Sequence, residues 1–236
     1  MTLNVSDLQS GYSMLPVLHG ASCHVETGEL VSLFGPNGAG KTTLARAIFG
    51  EIPVHAGTLT YGDSDLSRLS VEKRTDLKMA YVPQENSTFP DLTVEENIRV
   101  GLTAQKRRDV SERLQYAYDM FPVLGERRYQ GANTLSGGER KMLSLASAVV
   151  LESDFLLIDE PTSGLAPIVV DGLIEKTVEI AKSGITVFWI VGDDANKILP
   201  LADRRYLMKS GLIVGEWSKQ QQLTSEELAE LYFQTD

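Results

Sequence analysis

"GPNGAGKT", residues Gly35 to Thr42, decides the reading of this chain. It fits the pattern of a glycine, four residues, a glycine, a lysine and a hydroxyl residue, between a strand-like run (Leu30 to Phe34) and a helix-like stretch (Thr42 to Phe49). Glycines there let backbone N–H groups turn inward around phosphate oxygens, and the new helix adds the positive end of its dipole. Lys41 reaches for the outer phosphates of a nucleoside triphosphate, and Thr42 offers an oxygen to Mg²⁺. The segment Gly35, Pro36, Asn37, Gly38, Ala39, Gly40, Lys41, Thr42 and Thr43 is therefore expected to bind nucleotide. A plain glycine-rich turn before a helix is the alternative, and the flanking elements weigh against it.

A second apolar run, "FLLIDE" from Phe155 to Glu160, ends in two carboxylates, at the edge where open α/β sheets bind ligands. Asp159 is placed to hold Mg²⁺ and Glu160 to orient or deprotonate an attacking water. Alone, such a pair also suits a helix cap or a turn. Beside a phosphate loop it supplies the metal partner that phosphoryl transfer needs.

Working outward, Leu3 to Leu8, Ala21 to Glu26 and Glu29 to Phe34 read as strands with turns at Gly11, Gly20 and Gly28. Gly57 to Tyr61 and Met79 to Val82 are further strands. Charged, helix-forming sequence runs from about Thr93 to Val150, then a β-α-β pattern returns: Phe155 to Ile158, Ile168 to Ser183, Thr186 to Val191. Tyr206 to Met208 and Leu212 to Gly215 read as edge strands, and a terminal helix is expected from Ser225. The fold class is thus α/β: a phosphate-loop nucleoside-triphosphatase core with a mainly parallel sheet, an N-terminal antiparallel β part and an inserted helical part. The expected boundaries are one domain over 1–236, with a core at 1–92 and 151–216, a helical subdomain at 93–150 and a C-terminal helix at 217–236.

Composition narrows the class. At 236 residues there is room for one such unit, and 42% hydrophobic with 23% charged residues is ordinary for a folded domain. Twenty-two basic against 32 acidic residues leave a net charge of −10 and no basic run long enough to track a nucleic acid, so nucleic acid is not an expected partner. The single cysteine, Cys23, cannot close an internal disulfide. The start "MTLNVSDLQSGYS" lacks a signal peptide's apolar stretch, and the longest nearly apolar run, Met142 to Leu151, spans half a bilayer crossing. A cytoplasmic location with peripheral membrane contact is expected.

"LSGGE", Leu135 to Glu139, opens the helix through Met142 to Val149, so Ser136 and the N–H groups of Gly137, Gly138 and Glu139 form a second anion site. A plain N-cap with spare glycines is the other reading. Phosphate loop, Gln84 in "YVPQ", "LSGGE" and "LLIDEP", in that order, resemble the ATP-binding cassette family over essentially the whole chain. That resemblance implies an ATPase using ATP and Mg²⁺, and an obligate dimer in which Ser136 of one cassette closes over ATP held by the other. It implies that Tyr12 stacks on adenine, worth ~1–3 kcal/mol if it behaves as other base–aromatic stacks do; covering a hairpin is the alternative. It also implies that Gln84 touches metal and water and leads to the membrane subunits. Metal contacts are expected from Thr42, Gln84 and Asp159, and catalysis from Glu160, Lys41, Gln84 and Asp193.

"LTVEENI", "FPVLGERRYQGANTLSGGE" and "SGLAP" further resemble the ATPase subunits of branched-chain amino acid importers. Expected partners are a second, identical or sister, cassette, integral permease subunits on the inner face of the cell membrane and, indirectly, a solute-binding protein. Two positions depart from the family pattern. Asp193 stands where most members carry a histidine, and none of His19, His24 or His55 can replace it. An anion ~4 Å from a phosphate charge costs about 4 kcal/mol, so Asp193 is expected to turn away or be protonated and to slow turnover. Ala166 replaces the usual aspartate after "DEP". A soluble assembly ATPase and a cassette that closes on ATP with weak hydrolysis are the alternative functions.

Overall fold

A strand buried on both faces needs cover on both faces, and the five residues Leu30–Phe34 are all buried. The computed structural model describes residues 1–13, 15–85, 87–192, 194–221 and 227. In chain order the elements are β1 (Leu3–Tyr12), β2 (Leu15–Val25), β3 (Leu30–Phe34), α1 (Lys41–Phe49), β4 (Val54–Tyr61), β5 (Ser64–Asp65), α2 (Val71–Asp76) and β6 (Met79–Val82). There follow α3 (Val94–Ala104), α4 (Val110–Met120), α5 (Pro122–Glu126), α6 (Gly137–Val149), β7 (Phe155–Asp159) and α7 (Pro167–Lys182). The last are β8 (Thr186–Ile190), α8 (Ala195–Ile198), β9 (Arg204–Lys209) and β10 (Leu212–Ser218). Two compact units result, Met1–Leu77 with Thr186–Asp236, and Lys78–Ile185.

In the first unit β2, β1, β4 and β5 form an antiparallel sheet in that order. Its strands are longer than the sequence suggests. Gly11 lies inside β1, and Gly20 (φ +116°) lies inside β2, so neither is a turn. The irregular β1–β2 register absorbs these glycines without ending either strand. β3 pairs in parallel with β8 on one side and β9 on the other, and β10 closes antiparallel on β9. β9 is therefore an interior strand, correcting the expectation of an edge; its four central residues, Arg205 to Met208, are all buried. β10 runs to Ser218, past the expected start of a C-terminal helix at 217, because Trp217 and Ser218 pair with Arg205 and Arg204. The helix expected from Ser225 lies outside the described residues.

α1 is held firmly at its C-terminal end. Arg74, 2% exposed, donates to the carbonyls of Ala47 and Ile48 there, and to those of Leu66 and Leu69. Burial lowers the guanidinium pKa to about 10, with Asp65 opposing the shift. Gly50 (φ +85°) leaves the room this needs, since a Cβ there would lie 2.8 Å from the guanidinium.

In the second unit β6 and β7 pair in parallel, Met79 opposite Phe155 through Val82 opposite Ile158. The helical region between them is α3 to α6. Thr93 and Glu96 form a capping box at the start of α3, and the buried Asn97 takes the Phe89 N–H and gives protons to the carbonyls of Phe89, Leu92 and Thr93. The compact units divide after Leu77 and Ile185, and the β6–β7 pair and α7 lie with the helices.

Candidate functional site

The phosphate loop of the first unit is built from backbone geometry that side chains would spoil. Gly35, Gly38 and Gly40 have φ of +150°, +80° and +105°, and a Cβ on Gly35 would lie 2.1 Å from the Met208 carbonyl oxygen. Gly40 is the N-cap of α1, with no side-chain cap and no acid in the first turn. The helix therefore presents its N–H groups and positive dipole end to whatever occupies the loop. Lys41, 5% exposed, folds its Nζ back onto the Gly35 and Pro36 carbonyls at 2.9 and 3.3 Å. An ammonium held by carbonyl dipoles beside a helix N-terminus suits a polyanion's phosphates. Tyr12, 42% exposed at the end of β1, has the Arg46 guanidinium 6.0 Å from its ring centroid and accepts from Arg46 Nη1 at 3.1 Å.

In the second unit Asp159 ends β7 with no exposed surface, and Tyr81 Oη donates to its Oδ2 at 3.3 Å. Glu160 follows in the left-handed region, φ +41°. A non-glycine residue held there costs on the order of 1–3 kcal/mol, and the bend turns the carboxylate out of the strand's alternation. Gln84 meets it, Nε2 donating to Glu160 Oε2 at 3.1 Å. Lys141 Nζ donates to the Gln84 carbonyl oxygen. Burial lowers the Lys141 pKa, against the opposing charges of Asp159 and Glu85.

Ser136 is the N-cap of α6 and forms a reciprocal box with Glu139: the Ser136 N–H donates to Glu139 Oε2 at 2.8 Å, and the Glu139 N–H to Ser136 Oγ at 3.3 Å. The Ser136 N–H holds the Glu139 carboxyl below its usual pKa, and Arg127 Nε lies 2.9 Å from the other oxygen. The two glycines differ. Gly138 is buried where a Cβ would lie 2.2 Å from Val169, whereas one on Gly137 would meet only Leu165, at 3.3 Å. Gly138 is thus required by packing alone. A cavity of about 520 Å³ opens beside this helix end, with Gln84, Ser87, Gly137, Arg140, Lys141 and Ser163 among its lining.

The structure thus brings Asp159, Glu160 and Gln84 together in the second unit and gathers residues 35 to 43 with Lys41 at their centre in the first. Asp193 lies outside the described residues. Ala166 is the N-cap of α7 and offers no side-chain cap. Sequence reasoning missed Lys141 and Tyr81. Lys141 sits four residues after Gly137, one helical turn along the same face, which was the available signal.

Residues 18–163 match the family model described as "ABC transporter". Over 230 residues the chain is 35% identical to the high-affinity branched-chain amino acid transport ATP-binding protein BraG of Pseudomonas aeruginosa, spanning 98% of each. It is 31% identical to the probable branched-chain amino acid transport ATP-binding protein LivF of Archaeoglobus fulgidus, spanning 97% of each. It is also 31% identical, over 241 residues, to the lipopolysaccharide export system ATP-binding protein LptB of Escherichia coli, covering 100% of this chain and 98% of that one. Among solved structures, a nucleotide-free ATP-binding cassette from an ABC transporter superposes with TM-score 0.81 at 22% identity, covering 98% of this chain and 95% of that one. A dimeric post-hydrolysis cassette bound to ADP and Pi superposes with TM-score 0.83 at 21% identity, covering 93% and 100%. The α/β fold expected from the phosphate loop is the fold of these cassettes.

Proposed function

The chain belongs to the ABC transporter family, as one of its ATP-binding, ATP-hydrolysing subunits, and we propose that it powers an importer of branched-chain amino acids or related amino acids and amides. Cassettes of this family form dimers and act with membrane permease subunits. Among the described residues no helix is long and apolar enough to cross a membrane, which fits a motor that reaches the bilayer only through permeases. The observation that carries the importer reading is the end-to-end match to BraG, 35% identical with 98% of both chains spanned.

In this reading ATP lies with its phosphates in the loop from Gly35 to Thr43, its outer phosphates drawn by Lys41 and its adenine against Tyr12. The donors on offer for a metal are the Thr42 hydroxyl, the Gln84 side-chain oxygen and the buried Asp159 carboxylate. Among the described residues no cluster of three or more His, Cys, Asp or Glu forms a cage. Hydroxyl, amide and carboxylate oxygens are the donor types that suit Mg²⁺. Bound Mg²⁺ supplies screening of the charge that builds on the transferred phosphoryl group. Glu160 orients the attacking water and takes its proton, and its left-handed backbone fixes where the carboxylate points. Gln84, bonded to Glu160, steadies that geometry. Ser136 with the free N–H groups around Gly137 closes over the nucleotide of a second cassette, identical or sister. Asp193, in the register of the family's histidine, slows turnover.

The cargo test is uptake. The complex purified from its native membrane, with its permeases and solute-binding protein, is reconstituted into proteoliposomes loaded with ATP and offered labelled leucine. ATP-dependent accumulation supports the reading; ATP turnover unaffected by any branched-chain amino acid with its binding protein rejects it. Export of a lipid-linked cargo is the second reading, favoured by the equal 31% identity to LptB, and co-purification of permeases without any solute-binding partner would turn the choice toward it.

A further inference from the structure

Gln84 is held at both of its ends. Its side chain donates to Glu160 at 3.1 Å, and its main-chain carbonyl accepts from Lys141 on α6, 57 positions further along the chain. The same helix opens at Gly137, one turn before Lys141. One glutamine therefore joins the carboxylate after β7 to the helix whose N-terminus faces the cavity.

We infer that Lys141 is a positioning residue for ATP hydrolysis, its ammonium tethering the Gln84 carbonyl so that the glutamine loop and the opening turn of α6 move as one piece. The inference rests on the reading of Glu160 and Gln84 given above, and the controls below separate the two. Three features of the structure carry it. The loop that leaves Gln84 borders the cavity of about 520 Å³ through Glu85, Ser87 and Thr88, so beyond the tether it has space in which to shift. Lysine is suited to the task because a long stem with three rotatable donors follows a carbonyl through small displacements. Finally, the neighbouring Arg140 is otherwise engaged, its Nη1 donating to the Leu135 carbonyl at the head of the same helix, which leaves the Gln84 carbonyl to Lys141.

When α6 is fixed by nucleotide at its N-terminus, Lys141 transmits that position to Gln84, and Gln84 presents its amide to Glu160. Without the ammonium, Gln84 keeps its side chain but loses its register against Glu160. The effect belongs on the chemical step and not on nucleotide capture, because the phosphate loop is untouched.

The test uses the assembled transporter complex with Mg-ATP, comparing Lys141→Met, Lys141→Arg, Gln84→Ala, the double variant Gln84→Ala/Lys141→Met, and Glu160→Gln. Lys141→Met, similar in volume but without a donor, lowers kcat about tenfold, as loss of a supporting hydrogen bond around a reactive centre does. Its KM for ATP and its melting temperature stay at wild-type values, and Lys141→Arg restores most of the rate. In the Gln84→Ala background the Lys141→Met change costs less than about twofold, because the two residues act as one unit. A kcat for Lys141→Met within about twofold of wild type overturns the inference, and so does a tenfold cost that persists in the Gln84→Ala background. A loss of rate that tracks a lower melting temperature and is not recovered by Lys141→Arg also overturns it. If Glu160→Gln hydrolyses ATP as fast as wild type, the underlying reading of the acidic pair is what fails. If Glu160→Gln is inactive while Lys141→Met is fully active, the failure lies with the tether alone.

Discussion

The helices α1 and α6 each have a glycine at their opening, Gly40 as the N-cap of α1 and Gly137 as the first residue of α6, yet they are secured at opposite ends. α1 has no side-chain cap and no acid in its first turn, and is anchored by Arg74 on the carbonyls of its last turn. α6 carries its own cap, the reciprocal Ser136–Glu139 box, with Arg127 against the carboxylate. A helix N-terminus leaves N–H groups that something must satisfy. α1 carries no acid in its own first turn, so nothing of its own opposes an anion at its positive end. In α6 a carboxylate already sits at the positive end, so a phosphate there must compete with it. The two helix ends thus differ in one respect, the carboxylate that α6 holds at its own positive end.

The largest expected effect tests the anchor. Arg74→Met leaves the carbonyls of Ala47, Ile48, Leu66 and Leu69 without their charged donor, costing about 4 kcal/mol and lowering the melting temperature by about 10 °C. A melting temperature unchanged from wild type would break the claim that α1 is secured from behind. Lys41→Met comes next: losing a charge-assisted contact to the phosphates weakens ATP about a hundredfold, measured by calorimetric titration. Affinity equal to wild type would show that the open end of α1 is not where the triphosphate lies.

The smallest effect sharpens the contrast. Glu139→Gln removes the carboxylate from the positive end of α6 and costs the nucleotide-free chain about 0.5 kcal/mol in a denaturant titration at pH 7. The Glu139 carboxyl has a lowered pKa in the folded chain, so its stabilisation is present above the ordinary value of 4.5 and is lost as pH falls through the folded one. The gap between variant and wild type therefore closes in acid. With ATP the sign reverses, and the variant dimerises about twofold more tightly, because the phosphate meets no competing charge. Weaker ATP-driven dimerisation would mean that the box supports closure instead of opposing it.

Much of the candidate site was legible because its chemistry is written in consecutive residues. The glycines before α1 and the cap of α6 depend on neighbouring residues, so the turn at Gly35 to Gly40 and Ser136 as an N-cap could be read directly, while the reciprocal bond to Glu139 was not. Strand ends were less legible. Gly11 and Gly20 read as turns, but a sheet can absorb glycine as an irregularity in register, and pairing with each other carried β1 and β2 through them.

By itself the sequence determined the glycine-rich turn before α1, the acidic pair at a strand end, Ser136 at the start of α6 and the family to which the chain belongs, since each depends on local spacing. Only the tertiary structure decided that Arg74 anchors α1, that β9 is interior, that Glu160 bends into the left-handed region and that Lys141 reaches the Gln84 carbonyl. Those outcomes depend on which distant groups folding brings within hydrogen-bonding reach, and no pattern of neighbours along the chain encodes that distance.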